Sequence, residues 1–315
     1  MTLIAHAILR TGLLFAFPFF AAALESGWIP TVVTSNHILQ DMVKNVGADR
    51  AHLVCLMPPG FDVHAFDPTP KTITQLAEAD LLIINGYGLE SSLDKILHNA
   101  GYRGPIAVAA SRSSLIAIDP DYGDVHEPAN DRPIDPHAWH DLRNAVTYVE
   151  VIRDALIECN PMDAPSYTRL ADAYIHEIRI LDIWTRRQLL NLPRSSRTIL
   201  ISHQGLAYLG RAYGLEIITL VGLSPYQDPD AQQVATIIEE IQSGRIRGLF
   251  QEVGSNSRIM DQISLESDSP MGGELYTGAL GSSDSLSSTF IGMFRQNIQR
   301  ILGALEADPA ASRSP

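Results

Sequence analysis

SYTRLADAYIHEIRILDIWTRRQLLNL, running from Ser166 to Leu192, is the stretch whose reading decides the fold. It contains neither Gly nor Pro, Pro165 stands immediately before it and Pro193 immediately after it. Leu170, Ala173, Tyr174, Ile178, Leu181 and Trp184 recur at helical spacing. Proline is tolerated in the first turn of a helix and stops one from continuing, so the two prolines bracket a single uninterrupted helix. At ~1.5 Å rise per residue it is about 40 Å long, enough to cross a small domain. Two readings are open: one long core helix, or a rigid strut between two domains.

On both sides of this helix the chain alternates strand-like and helical patterns. Before it, strands are expected at Thr31 to Thr34, Ala51 to Met57, Leu81 to Asn85 and Ile106 to Ala109. Helices are expected at His37 to Val46, Lys71 to Ala79, Leu93 to Ala100 and Leu142 to Glu158. After it, strands are expected at Thr198 to Ser202, Glu216 to Leu220 and Gly248 to Val253. The helices there are Gly205 to Tyr213, Ala231 to Ser243, Ile259 to Glu266 and Thr289 to Leu302. Such alternation signals βαβ units and parallel sheets. The expected fold is α/β: two parallel-sheet lobes joined by one long rigid helix. The divisions are 24–165 for the first lobe, 166–193 for the linking helix, 194–306 for the second lobe and 307–315 for a small polar, disordered tail.

Residues 1–23 read as an export signal. Arg10 supplies the positive start, Gly12 to Phe20 is apolar, and Ala21-Ala22-Ala23 offers a small-residue cleavage site. The apolar run is too short for a comfortable membrane span and Pro18 interrupts it. No cysteine follows it to carry a lipid. The mature protein is therefore expected to be soluble and exported. The 315-residue chain has a net charge of -13; losing Arg10 and no acid would leave -14. That balance argues against nucleic acid as a partner and favours cations near the surface. No G-x-G-x-x-G or Walker loop follows a strand, which sets nucleotide binding aside. Cys55 and Cys159 lack C-x-x-C spacing, and nothing in the sequence brings them together, so we read two separate thiols.

Three histidines stand where strand patterns give way to loops: His64, His137 and His203. Open parallel sheets bind ligands beyond the carboxyl ends of their strands. Imidazole suits zinc and neighbouring transition metals. Their shared placement suggests a metal site, although any one of them alone reads better as a surface or hydrogen-bonded residue. Asp141, just before a helix, reads as an N-cap.

The flanking residues carry a resemblance. Pro59-Gly60-Phe61-Asp62-Val63-His64-Ala65-Phe66-Asp67-Pro68, Asp135-Pro136-His137-Ala138-Trp139 and Ser202-His203-Gln204-Gly205 resemble the three ligand motifs of the cluster A-I (cluster 9) solute-binding proteins of metal ABC transporters. Asn85-Gly86-Tyr87-Gly88-Leu89-Glu90, Ala212-Tyr213-Gly214-Leu215 and Gly273-Glu274-Leu275-Tyr276-Thr277-Gly278-Ala279-Leu280 are also similar, and together the likeness spans about residues 30 to 304. The resemblance implies two α/β lobes on a rigid helix. Metal would lie in the cleft, held by His64 and His137 from the first lobe and His203 from the second. It further implies a periplasmic, monomeric, non-enzymatic zinc receptor that delivers Zn(II) to an ABC permease, with a periplasmic metallochaperone as a conceivable loader. Histidine rather than glutamate at the third position favours zinc. A manganese or iron(II) receptor is the alternative within the family.

One departure bears on the site. The family usually has an aspartate where this chain has Gly278. Water in the fourth position, Asp284 reaching in, and a weakened or repurposed site are the three expectations. The acidic segment around His126 reads as a solvated loop, and His140 as a residue near the metal without binding it. A His₃ zinc with an open position is also the geometry of zinc hydrolases and hydratases. No general base or substrate pocket is apparent in the sequence beside these histidines, which disfavours that class.

Overall fold

A computed structural model of the chain describes residues 27–57, 69–118, 133–222, 230–255 and 258–306. The first lobe has strands β1 (Thr31–Thr34), β2 (His52–Cys55), β3 (Leu81–Ile84) and β4 (Ile106–Val108). Its helices are α1 (His37–Gly47), α2 (Pro70–Ala77), α3 (Leu93–Ala100) and α4 (Leu142–Cys159). The strands pair in parallel in the order β2-β1-β3-β4. Helix α5 (Ala164–Leu190, 27 residues) follows, with Pro165 in its first turn.

The second lobe contains β5 (Thr198–Ile201), α6 (Ala207–Tyr213), β6 (Glu216–Thr219), α7 (Ala231–Gln242), β7 (Gly248–Glu252), α8 (Arg258–Ser267), β8 (Met271–Leu275) and α9 (Phe290–Glu306). Its parallel sheet has the order β6-β5-β7-β8. The two sheets therefore share one topology, and each reverses strand order beside its first strand. Such a reversal opens a crevice at the carboxyl ends of the strands. Every residue of β3 (LLII) and β5 (TILI) is buried, the continuous apolar run of a parallel sheet covered on both faces.

The two readings of α5 merge. Tyr167, Ala171, Tyr174, Ile175, Ile178, Leu181, Thr185 and Leu189 are buried along it. One apolar cluster runs through all of these except Thr185, from Val32 and Ile83 of the first sheet to Ile199, Ile201 and Phe250 of the second. Burying each of the large aliphatic side chains among them contributes about 1.5–3 kcal/mol. Of the stripe expected from the sequence, Tyr174, Ile178 and Leu181 are buried, Leu170 and Trp184 half-buried, and Ala173 exposed. Thr185 takes a core position that hydropathy alone would not assign.

Polar contacts reinforce the junction. Asp41 of α1 accepts from the backbone N–H of Phe290 at the start of α9 (2.9 Å) and from Tyr174 of α5 (3.3 Å). Tyr208 of α6 donates to the Asp135 carbonyl (2.6 Å), and Arg211 donates to the carbonyls of Ser114 (2.6 Å) and Leu115 (3.2 Å). Asp141 caps α4 by accepting from Arg143 N–H at 3.0 Å. Cys55 and Cys159 are free, and burial pushes both thiols up, to about 11 and about 12. No helix among the described residues is long and apolar enough to cross a membrane.

Strand β8, Met-Gly-Gly-Glu-Leu, has no signal in the sequence. Two glycines and no β-branched residue are poor strand formers. Tertiary packing imposes the strand: a Cβ on Gly272 would come within 2.7 Å of the Phe250 ring. Gly273, at φ +107°, sits where the β7–β8 register shifts.

Candidate metal centre

His203 follows β5, the first strand of its lobe, and Glu252 ends the neighbouring β7. The two therefore flank the point where strand order reverses. Glu252 Oε1 accepts from the His203 backbone N–H at 2.9 Å and from the Ser202 hydroxyl. Its Oε2 lies 2.6 Å from His203 Nδ1. Both side chains are buried. Burial alone would push the Glu252 carboxyl up. The adjacent His203 ring, with the hydrogen bonds from His203 and Ser202, outweighs burial and holds it down at about 2.

His137 comes from the first lobe, in the turn that leads through Ala138–His140 into α4. Asp135 Oδ1 accepts from the His137 backbone N–H (2.9 Å) and lies 2.9 Å from its Nδ1. Asp135 and His137 are both fully buried. The two imidazole rings stand 5.5 Å apart, centroid to centroid, edge to face. Trp139 packs edge-on to His137 at 5.4 Å. A carboxylate at Nδ1 fixes the tautomer with the proton there, raises basicity, and directs Nε2 towards a cation.

The surroundings fit a bound cation. Asp135 Oδ2 is buried with no hydrogen-bond partner among the described residues, an acceptor that positive charge would compensate. Gly205 provides room for the imidazole: a Cβ there would lie 2.9 Å from His203 Cε1 and 3.0 Å from Nε2. The same Cβ would lie 3.1 Å from Thr277, which places the Thr277–Gly278 turn beside the His203 ring.

His64, the loop that carries it and the segment around His126 lie outside the described residues. Among the described residues no set of three or more His, Cys, Asp or Glu side chains is grouped to hold a metal. Asp284 is exposed on the loop between β8 and α9. The Ser282 hydroxyl, the largest influence on it, holds its carboxyl below the usual range. The structure thus brings His137 and His203 together without Asp284. His140 is buried, and its Nε2 donates to the Thr277 carbonyl across the lobes at 2.9 Å. Burial lowers its pKa to about 4, so the ring is neutral at pH 7. His52, His98 and His176 are exposed on their elements and His37 half-buried at the start of α1.

Glu252 is the carboxylate beside His203 that sequence reasoning missed. It reads there as one polar position inside a strand pattern. The usable signal was an acid at the carboxyl end of a strand next to the one preceding His203.

Two α/β lobes on one helix, with imidazoles from both lobes meeting in the cleft, define a metal-binding solute receptor. The profile described as zinc-uptake complex component A, periplasmic (ZnuA), matches residues 32–304. The chain belongs to this family, the cluster A-I solute-binding proteins of metal ABC transporters. The manganese-binding lipoprotein MntA of Halalkalibacterium halodurans is 30% identical over 89% of this chain and 90% of its own length. The iron-binding protein YfeA of Yersinia pestis is 31% identical over 86% and 84%. Among solved structures, the periplasmic zinc-binding protein TroA of Treponema pallidum superposes with a TM-score of 0.78 at 25% identity, covering 88% of this chain and 99% of that one. A manganese-bound periplasmic metal-binding protein of Candidatus Liberibacter asiaticus gives 0.76, also at 25% identity, covering 88% and 99%. The chain is thus a metal-binding receptor that works with an ABC permease.

Proposed function

We propose that this receptor is exported and carries Zn(II), bound by His64, His137 and His203, to the permease for import. The observation that supports this reading is the pair of buried imidazoles, each with its Nδ1 against a buried carboxylate. Imidazoles held in this way suit zinc better than manganese, which prefers oxygen ligands. Gly278 offers no side chain, so water completes the coordination. The continuous core under the cleft favours capture and release by small shifts of the loops over a stiff frame. Export follows from the signal-like residues 1–23, with cleavage near Ala23.

A second reading, Mn(II) or Fe(II) as cargo, is supported by the relatives named for manganese and iron. Titration of metal-free protein with Zn(II) and Mn(II), in competition with a chelator, separates the two. The expected outcome is one zinc per chain, bound about two orders of magnitude more tightly than manganese, about 2.7 kcal/mol. His64→Ala and His203→Ala are each expected to lose zinc by at least that factor. Preference for manganese would overturn the cargo assignment, and full zinc affinity in both variants would overturn the site.

A further inference from the structure

A cavity of about 450 Å³ opens at the other edge of the second lobe, lined by Arg186, Arg194, Arg197, Tyr213, Gly214 and Glu216 among others. Topology separates it from the metal cleft. His203 and Glu252 stand at the carboxyl ends of β5 and β7, whereas Arg197 immediately precedes β5 and Glu216 opens β6. The four residues of β5 lie between, roughly 13 Å at ~3.3 Å per residue.

Three guanidinium groups at one cavity are conspicuous in a chain of net charge -13. Arg197 is buried, with 9% of its surface exposed. Its Nε donates to the Leu192 carbonyl at 3.0 Å, and its Nη2 to the carbonyls of Leu192 (2.6 Å) and Leu190 (3.1 Å). It therefore caps the end of α5, where carbonyl dipoles favour a cation. Those bonds fix the guanidinium plane and leave Nη1 beside Gly214. Gly214 ends α6 in a left-handed conformation, φ +72°, and a Cβ there would stand 3.5 Å from Nη1.

Neither Arg197 nor Arg194 has a carboxylate within ion-pair distance among the described residues. The one acid on the lining, Glu216, is engaged elsewhere: Oε2 accepts from Thr198 (2.9 Å) and Oε1 from Arg245 (2.9 Å). Arg186 is paired with Asp182 (3.0 Å), donates to the Ala212 carbonyl (3.0 Å) and lies over the Tyr213 ring. The cavity thus holds two guanidinium charges with no anionic counterpart, one of them buried and oriented. A charge withdrawn from water without an anionic partner is costly, and a ligand anion would offset that cost.

We propose that this cavity binds a small multivalent oxyanion, inorganic phosphate or a di- or tricarboxylate, held by Arg194 and Nη1 of Arg197 with Arg186 forming the wall. A guanidinium fork matches the oxygen spacing of both ligand types. The site is independent of which metal the cleft carries.

Calorimetric titration of the metal-free full chain with inorganic phosphate and, separately, with citrate tests this and distinguishes the two sources. Saturable binding with a Kd of about 1 mM or tighter is expected for at least one of them. Arg194→Glu, at an exposed position, is expected to weaken that binding at least about tenfold while the metal titration and melting temperature stay unchanged; Arg194→Ala should fall between. No saturable binding of either anion, or equal affinity in wild type and Arg194→Glu, would overturn the proposal. So would co-sedimentation with phosphatidylglycerol vesicles that is lost in Arg194→Glu, because the arginines would then belong to a membrane-facing surface.

Discussion

The two lobes share one strand order, yet each backs its cleft histidine with a carboxylate obtained differently. In the first lobe, Asp135 lies two residues from His137, and one oxygen, Oδ1, serves both the backbone N–H and Nδ1. In the second, Glu252 arrives from a neighbouring strand, 49 residues from His203, and uses both oxygens. A local pair forms as soon as its turn forms. A non-local pair exists only once β5 and β7 are in register. The first lobe thus orients its histidine through chain geometry and the second through tertiary structure.

The largest effect should fall on the non-local pair. Glu252→Gln keeps one acceptor oxygen but turns an NH₂ towards either Nδ1 or the Ser202–His203 donors, so one contact must fail. Zinc affinity should drop about 100-fold, about 2.7 kcal/mol, in chelator competition. Equal affinity to wild type would show that His203 needs no such partner.

Acidification probes the seam between the lobes through His140. Its folded pKa, about 4, lies below the usual histidine value near 6.5, so the unfolded state takes up the proton first. Stability is therefore fully present above pH 6.5 and lost as pH falls towards 4. About 2 kcal/mol should be gone at pH 5 relative to pH 8 in urea denaturation of metal-free protein. His140→Gln should flatten that slope.

Gly205→Ala presses a methyl against the second lobe's imidazole and should cost about tenfold in zinc affinity, about 1.4 kcal/mol, without altering the circular dichroism spectrum. Asp135→Asn should be the mildest, only a few-fold, because a single amide oxygen can take over both contacts that Oδ1 makes. If Asp135→Asn proved as damaging as Glu252→Gln, the contrast between local and tertiary orientation would fail.

The same contrast explains what the sequence could reveal. The long helix, fifteen other elements and the positions of His137 and His203 at the ends of strand patterns follow from periodicity, proline placement and local motifs. Asp135 is legible because it adjoins its histidine. Glu252 is not, since its partner is chosen by strand pairing. β8 is not, since its strand geometry is imposed by Phe250 and Ala304 packing against Gly272. Thr185 occupies a core position on α5 for the same reason: location in the assembled core, rather than side-chain polarity, decided its burial. His140 lies next to a motif residue, but its bond to Thr277 spans 137 residues and has no local trace.

The apolar cluster that runs from Val32 to Phe250 through α5 makes the lobe boundary topological without making it cooperative. Neither half can melt while the other keeps its share of that cluster intact. Heating should therefore give one calorimetric transition with equal calorimetric and van't Hoff enthalpies, and the slowest-exchanging amides of both sheets should open with the same free energy.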